Sequence, residues 1–286
     1  MTQANEKSSI VSRIKLHYEA LPKSERKIAD LILDFPGDIA SYSATELANL
    51  SGVSKAAVTR LTRRLGFTNY EEARRLARDA KLWGSPLYLL SQDQEPSEIK
   101  GSLKSHLERD VANITHTFEA LDERKVDQIV TAIANARKIS ILGYRNSHYL
   151  AAYARFQLLQ LRDGVHLMAQ GGETLAENLA GLGHDDLLIA FGFRRRLSSF
   201  RSALKQAHIA GIPILYITDP SAGPTENYAK WILHAEVAGV GVFDSYTSAM
   251  SLIHHLCSVM LTKSGQPGRA HLKRIEDIHD ALRHFE

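Results

Sequence analysis

Two domains of different class are predicted: an all-α N-terminal domain built around a helix-turn-helix, and a C-terminal α/β domain with a five-stranded parallel sheet in a three-layer αβα arrangement. Three observations predict this. Apolar residues up to about residue 83 recur only at helical spacing. The stretch GSPLYLLSQDQEPSE (84–98) combines Gly-Ser-Pro with a polar, Pro-containing run and reads as a linker. Beyond residue 138, short apolar runs alternate with helical segments, the pattern of strands covered by helices on both faces. The expected boundaries are 1–83, 84–98 and 99–286.

In the first domain, Val11, Ile14 and Tyr18 suggest one helix. Pro22 and Ser24 open a second, with Ile28, Leu31 and Ile32 on one face and a stop before Pro36. Residues 45–67, TELANLSGVSKAAVTRLTRRLGF, are the most informative in the chain. A short helix from Glu46 to Leu50 precedes a turn, Ser51-Gly52-Val53, and a second helix opens on Ser54 and runs to about Arg64. Leu47, Ala48, Val53, Val58 and Leu61 fall where two steeply crossed helices bury side chains. Gly52 sits where the turn needs positive φ, and the small Ala48 permits close approach. Tyr70 to Leu82 forms the last helix.

The outward face of the helix after the turn carries Ala56, Thr59, Arg60 and Arg63, with Lys55 at its start, the arrangement of a major-groove recognition helix. Charge agrees with pattern. From Lys55 to Lys81 there are eight basic residues (55, 60, 63, 64, 74, 75, 78, 81) against three acids (71, 72, 79), a local excess of five where the whole chain has net +3. Neutralising phosphates requires such a patch. Lys55, Ala56, Thr59 and Arg60, with Ser54 at the helix start, are expected to face base edges. Arg63, Arg64, Ser43 and Thr45 are expected to serve phosphates. Paired half-sites make a homodimer or homotetramer the expected state, and double-stranded DNA the expected partner.

Composition excludes several classes. No apolar run approaches the roughly 20 residues of a membrane helix, and MTQANEKSSI lacks the apolar core of a secretory signal. The single cysteine, Cys257, lies in an apolar segment, so no internal disulfide forms. The chain reads as cytoplasmic. Adjacent His254 and His255 diverge by about 100° on a helix and do not chelate together. No metal, cofactor or catalytic residue is expected.

The second domain opens on a helix over 99–118, with Ile99, Leu103, Leu107, Val111, Ile114 and Phe118 at spacings of three and four. Another helix, about 122–136, carries Val126, Ile129, Val130 and Ile133. Strands are predicted at 138–143, 165–168, 186–192, 212–218 and 231–235. Helices fall at Ser147–Leu161, Glu173–Ala180, 198–210, about 245–263 and 270–284. In such sheets ligands bind beyond the carboxyl ends of the strands, against helix N-termini. The candidate contacts are therefore Gly143, Arg145, Asn146 and Ser147 after the first strand, and Gly192, Arg194 and Arg195 after the third. Thr218 and Asp219 follow the fourth, and Ser245 leads into the helix after the fifth. Arg145 and the run Arg194–Arg195–Arg196 point to an anion, because guanidinium groups take carboxylate or phosphate through paired hydrogen bonds. A solvated loop or an oligomer interface is the alternative use of that run.

The first 80 residues resemble the RpiR/MurR family of bacterial transcription regulators, through LPKSERKIADLIL, TELANLSGVS and VTRLTRRLGFTNYEEAR. Val58, Arg60, Leu61, Arg64, Leu65, Gly66 and Phe67 occupy the positions of that family's V-x-R-F-x-x-K-L-G-F pattern. Residues from about 120 to 265 resemble the SIS (sugar isomerase) domain that the family carries as its sensor, with ITDPSAGPTENYAKWIL after the fourth strand. The resemblance implies a regulator, more usually a repressor, controlled by a small metabolite. Two departures bear on that metabolite. Sugar-phosphate-binding SIS domains show G-x-G-x-S after the first strand, where Arg145 here replaces the middle glycine. They show S-x-S-G-x-T after the third, where this chain has Gly192, Arg194, Arg195 and Leu197. A carboxylate-bearing effector is then as compatible as a sugar phosphate. SIS domains also occur in aldose–ketose isomerases, and Glu173, Glu177 and His184 would be the acid–base candidates. They read better as a helix start and a solvated face, and an isomerase leaves the basic recognition face unexplained.

Overall fold

A computed structural model of the chain describes residues 10–34, 42–82, 102–169, 171–194, 196–240 and 243–283. The chain divides into two compact units, Met1–Lys100 with Gly241–Phe243, and Gly101–Val240 with Asp244–Glu286. The 84–98 linker and Arg195 lie outside the described residues.

The first unit is helical: α1 (Ile10–His17) and a 3-10 turn (Tyr18–Ala20), α2 (Lys23–Asp34), α3 (Ala44–Leu50), α4 (Lys55–Arg64) and α5 (Tyr70–Leu82). Local chemistry sets the boundaries. Ser43 and Glu46 form a reciprocal capping box at the start of α3, with Ser43 N–H donating to the Glu46 carboxylate at 2.7 Å. Gly52 turns the chain at φ +62, and the Ser54 hydroxyl accepts the Ala57 N–H to start α4. Ile10, Ile14, Ile28, Ile32, Leu47, Ala48, Val58 and Leu61 meet in one core. Burying them supplies most of the stability of helices that would be marginal alone.

The second unit begins with α6 (Leu103–Glu119) and α7 (Glu123–Asn135), then alternates β1 (Ile139–Gly143), α8 (Asn146–Leu159), β2 (Val165–Leu167), α9 (Leu175–Ala180), β3 (Leu187–Gly192), α10 (Ser198–Ile209), β4 (Ile214–Thr218), a 3-10 segment (Gly223–Tyr228), β5 (Trp231–His234) and α11 (Thr247–Leu282). All strand pairs are parallel, in the order β2-β1-β3-β4-β5. Strand alternation divides the core in two. Ile139, Ile141, Ile189, Leu215 and Leu233 pack with α7, α8 and α11, whereas Leu142, Leu188, Ala190 and Tyr216 pack with α10.

Helix α11 joins the two C-terminal helices expected from sequence, with a break at Gly265 (φ 55, ψ −128). Pro267 follows it, lacking an N–H and crowding the preceding turn. Helix α6 departs from its apolar pattern. Of its stripe, Ile114 and Phe118 are half-buried, Phe118 against the His255 ring. The residues it buries most deeply are polar: Asn113 donates to the Ala238 carbonyl at 2.7 Å, and the Thr117 hydroxyl accepts the Glu236 N–H at 3.0 Å. Leu103, Leu107 and Val111 stand in solvent at 94%, 63% and 53% exposure.

Candidate DNA-binding surface and strand-end site

Helix α4 divides cleanly. Ala57, Val58, Leu61 and Thr62 are buried, while Lys55, Ala56, Thr59, Arg60, Arg63 and Arg64 are exposed. The two caps, Ser43 and Ser54, spend their hydroxyls on backbone N–H groups, so their side chains meet a phosphate only through what the caps leave free. Thr45 is exposed on the first turn of α3.

The basic side chains are not equivalent. Glu25 of α2 is buried, its side chain 2% exposed, and Arg64 Nε donates to it at 2.8 Å. Arg60 Nε approaches the other carboxylate oxygen at 3.6 Å. Both arginines remain substantially exposed, so one buried acid aims two guanidinium groups outward from α4. The side chains of Arg63 and Lys55 have no hydrogen bond or ion pair among the described residues. Glu25 has no place in the sequence reading of the interface, because its partners lie about ten helical turns away along the chain and only the α2–α4 packing joins them.

At the strand ends of the second unit, the glycines are required. A Cβ on Gly143 would lie 2.2 Å from the Ser147 carbonyl oxygen, and one on Gly192 would lie 2.6 Å from the Phe200 ring. Ser147 is buried and its hydroxyl accepts the Phe193 N–H at 3.3 Å, tying the loops after β1 and β3 together. Arg145 and Asn146 are exposed beside it and make no side-chain hydrogen bond among the described residues.

Arg145 stands at φ 55 and ψ −129, a backbone conformation that favours glycine. A side chain there costs about 1–3 kcal/mol. Arg145→Gly is therefore expected to stabilise the unit by about 1 kcal/mol after the entropy cost of glycine, seen as a raised urea midpoint. An unchanged or lowered midpoint would show that the loop relaxes around the arginine.

The arginine run separates by role. Arg194 pairs with Asp244. Arg196, absent from the expected contacts, turns back over the sheet. Its Nε donates to the Gly192 carbonyl at 2.6 Å and to Tyr216 Oη at 2.9 Å, and Nη2 donates to Thr218 Oγ1 at 2.8 Å and to the Asp219 carboxylate. Thr218 and Asp219 are buried beneath it. A ligand reaches those two residues only if Arg196 moves. Ser245 bonds to Thr247 Oγ1 at 3.0 Å, at the start of α11. The open surface is thus formed by Arg145 and Asn146, with Arg194 and Arg196 held by acids that an incoming anion would have to displace.

Among the described residues, no group of His, Cys, Asp and Glu has the arrangement of a metal site, and no helix is long and apolar enough to cross a membrane. Residues 8–79 match the helix-turn-helix domain of the rpiR family, and residues 132–259 match the SIS domain. A regulator of the helix-turn-helix type from Haemophilus influenzae is 26% identical over 230 residues, 79% of each chain. The sugar isomerase domain of an RpiR transcription factor from Sphaerobacter thermophilus superposes with a TM-score of 0.57 at 25% identity, covering 60% of this chain and 96% of that one. The Vibrio vulnificus NanR protein complexed with ManNAc-6P superposes with a TM-score of 0.59 at 22% identity, over 96% and 99% of the two chains.

Proposed function

The chain is an RpiR/MurR-family regulator, a helix-turn-helix domain followed by a SIS domain, and from that premise we propose that it is a cytoplasmic repressor released or engaged by a small anionic metabolite at the strand ends. Relatives named as helix-turn-helix transcription regulators support a role in binding DNA over one in isomerising sugars. The observation that carries the DNA reading is α4 itself. One face is committed to the core, and the other presents Lys55, Ala56, Thr59, Arg60 and Arg63 to solvent.

The roles along α4 are distinguishable. Duplexes selected by the full-length protein from a randomised pool would serve as the operator, and binding would be followed by fluorescence anisotropy. Arg60→Ala is expected to flatten the sequence preference, at a cost of about 1–3 kcal/mol on the best sequence. Arg63→Ala should weaken all duplexes alike and reduce the salt slope by about one. A sequence-selective loss at Arg63 would reverse the two assignments. Arg64→Ala is expected to differ from both, lowering the thermal stability of the helical unit along with DNA affinity, because it leaves the buried Glu25 carboxylate short of a partner.

The effector reading rests on the cationic strand ends and on the sugar phosphate held by the NanR protein. An arriving phosphate or carboxylate would bond Arg145 and the backbone beside Gly143, and would compete with Asp244 for Arg194. Differential affinity for two arrangements of the regulator is what would turn binding into control. Self-association is proposed through the stripe of α6 on which Leu103, Leu107 and Val111 stand exposed together.

A further inference from the structure

We propose that the SIS unit carries a second ligand site, at the β2 edge of the sheet and distinct from the strand ends, which takes a small hydroxylated anion. A cavity of about 490 Å³ opens there between β1, β2, α8 and α9. Its base is Ser140 of β1, which is 5% exposed and whose hydroxyl makes no hydrogen bond among the described residues. The Ser140 hydroxyl is not sealed in the interior, so it is open to the cavity. A buried strand position of this kind normally carries an apolar residue or a satisfied hydroxyl.

Three further donors line the same cavity: Lys138 at the entry to β1, Arg155 on α8 and His166 on β2. None of them has an ion pair or side-chain hydrogen bond among the described residues. Lys138 Nζ lies over Gly181, where an added Cβ would come within 3.3 Å of it. The acids across the cavity are already engaged. Glu177 accepts the Thr174 N–H at 2.8 Å and closes the cap of α9, and Glu173 accepts from Asn178 Nδ2 at 2.8 Å. The uncommitted groups are therefore donors, and they call for an acceptor-rich ligand, a phosphate or carboxylate. Each engaged carboxylate keeps lone pairs that ligand hydroxyls can use. That combination selects a hydroxylated acid over a bare ion or a neutral sugar.

The site is separate from the strand-end reading and tested apart from it. Full-length protein would be titrated calorimetrically with gluconate and glucose 6-phosphate as the two sources of acid, and with inorganic phosphate and glucose as comparisons. Binding of at least one of the two hydroxylated acids is expected to fall about tenfold or more in Arg155→Gln and in Gly181→Leu. Gly181→Leu fills the cavity, and its added Cβ comes closer than ordinary contact only to Lys138 Nζ, the far end of a flexible side chain, with the Glu177 and Asn178 carbonyl oxygens at 3.9 and 4.0 Å. Ser140→Ala should lose several-fold in affinity with a melting temperature no lower than that of the parent, because the hydroxyl it removes has no partner among the described residues. Arg194→Ala should leave this binding event intact. Absence of binding by both acids up to about 10 mM overturns the proposal. So does binding that is indifferent to Ser140, Arg155 and Gly181, or binding that is lost in Arg194→Ala alone. That last result would support the strand-end site instead.

Discussion

Replacing Arg196 with methionine is expected to lower the stability of the SIS unit by about 3 kcal/mol, measured by urea unfolding of the full-length protein. The guanidinium joins the Gly192 carbonyl, Tyr216, Thr218 and Asp219 across the ends of β3 and β4. Its removal leaves a carboxylate 5% exposed with, among the described residues, only the backbone N–H and hydroxyl of Ser221 for company. The loss should shrink when Asp219→Asn is added, because the cost is that of an unpaired buried charge. Lysine should not substitute, since an ammonium cannot reproduce the planar fork that bonds in several directions at once. A loss under about 0.5 kcal/mol would mean that water replaces the guanidinium and that the strand ends are open.

Gly143→Ala should cost at least as much, about 3 kcal/mol or more. The added methyl would sit 2.2 Å from the Ser147 carbonyl oxygen and 2.7 Å from its carbon, both backbone atoms of the first turn of α8. No rotamer relieves that contact, so the helix must lift off β1 and break the tie between Ser147 and Phe193. Gly171→Ala is the matched comparison. Nothing lies within 4 Å of its added Cβ, and the expected change is within about 0.5 kcal/mol. Equal effects at both positions would show that general glycine entropy, and not steric exclusion, is being measured.

Periodicity and local cap chemistry determined most of the fold. The helix-turn-helix lies where Gly52, Ser54 and the Leu47–Leu61 spacing placed it, and five strands alternate with helices from Ile139 to His234. These signals are short-range. A capping serine, a positive-φ glycine or an apolar stripe acts within one or two turns, so it can be read without knowing what lies opposite. Helix α6 marks the limit of that reading. An apolar stripe says that a surface wants cover, not that its own chain provides it, and α6 is instead tied to the domain through its own Asn113 and Thr117.

The identities of the basic residues were legible; their roles were not. Three consecutive arginines mark a cationic loop in any reading, yet only the packing of β3 beside β4 turns Arg196 inward and brings Arg194 to Asp244. Arg64 and Arg60 likewise receive their orientation from Glu25, a residue distant in sequence and buried between helices. Ser140, as one polar residue in an apolar strand, was visible as a letter, but its unpartnered hydroxyl beside Lys138 and Arg155 was not. Composition fixes which charges and donors a chain possesses. Tertiary structure decides which of them neutralise one another and which are left for a ligand, because a side-chain pair is worth something only at contact distance and in shelter from water.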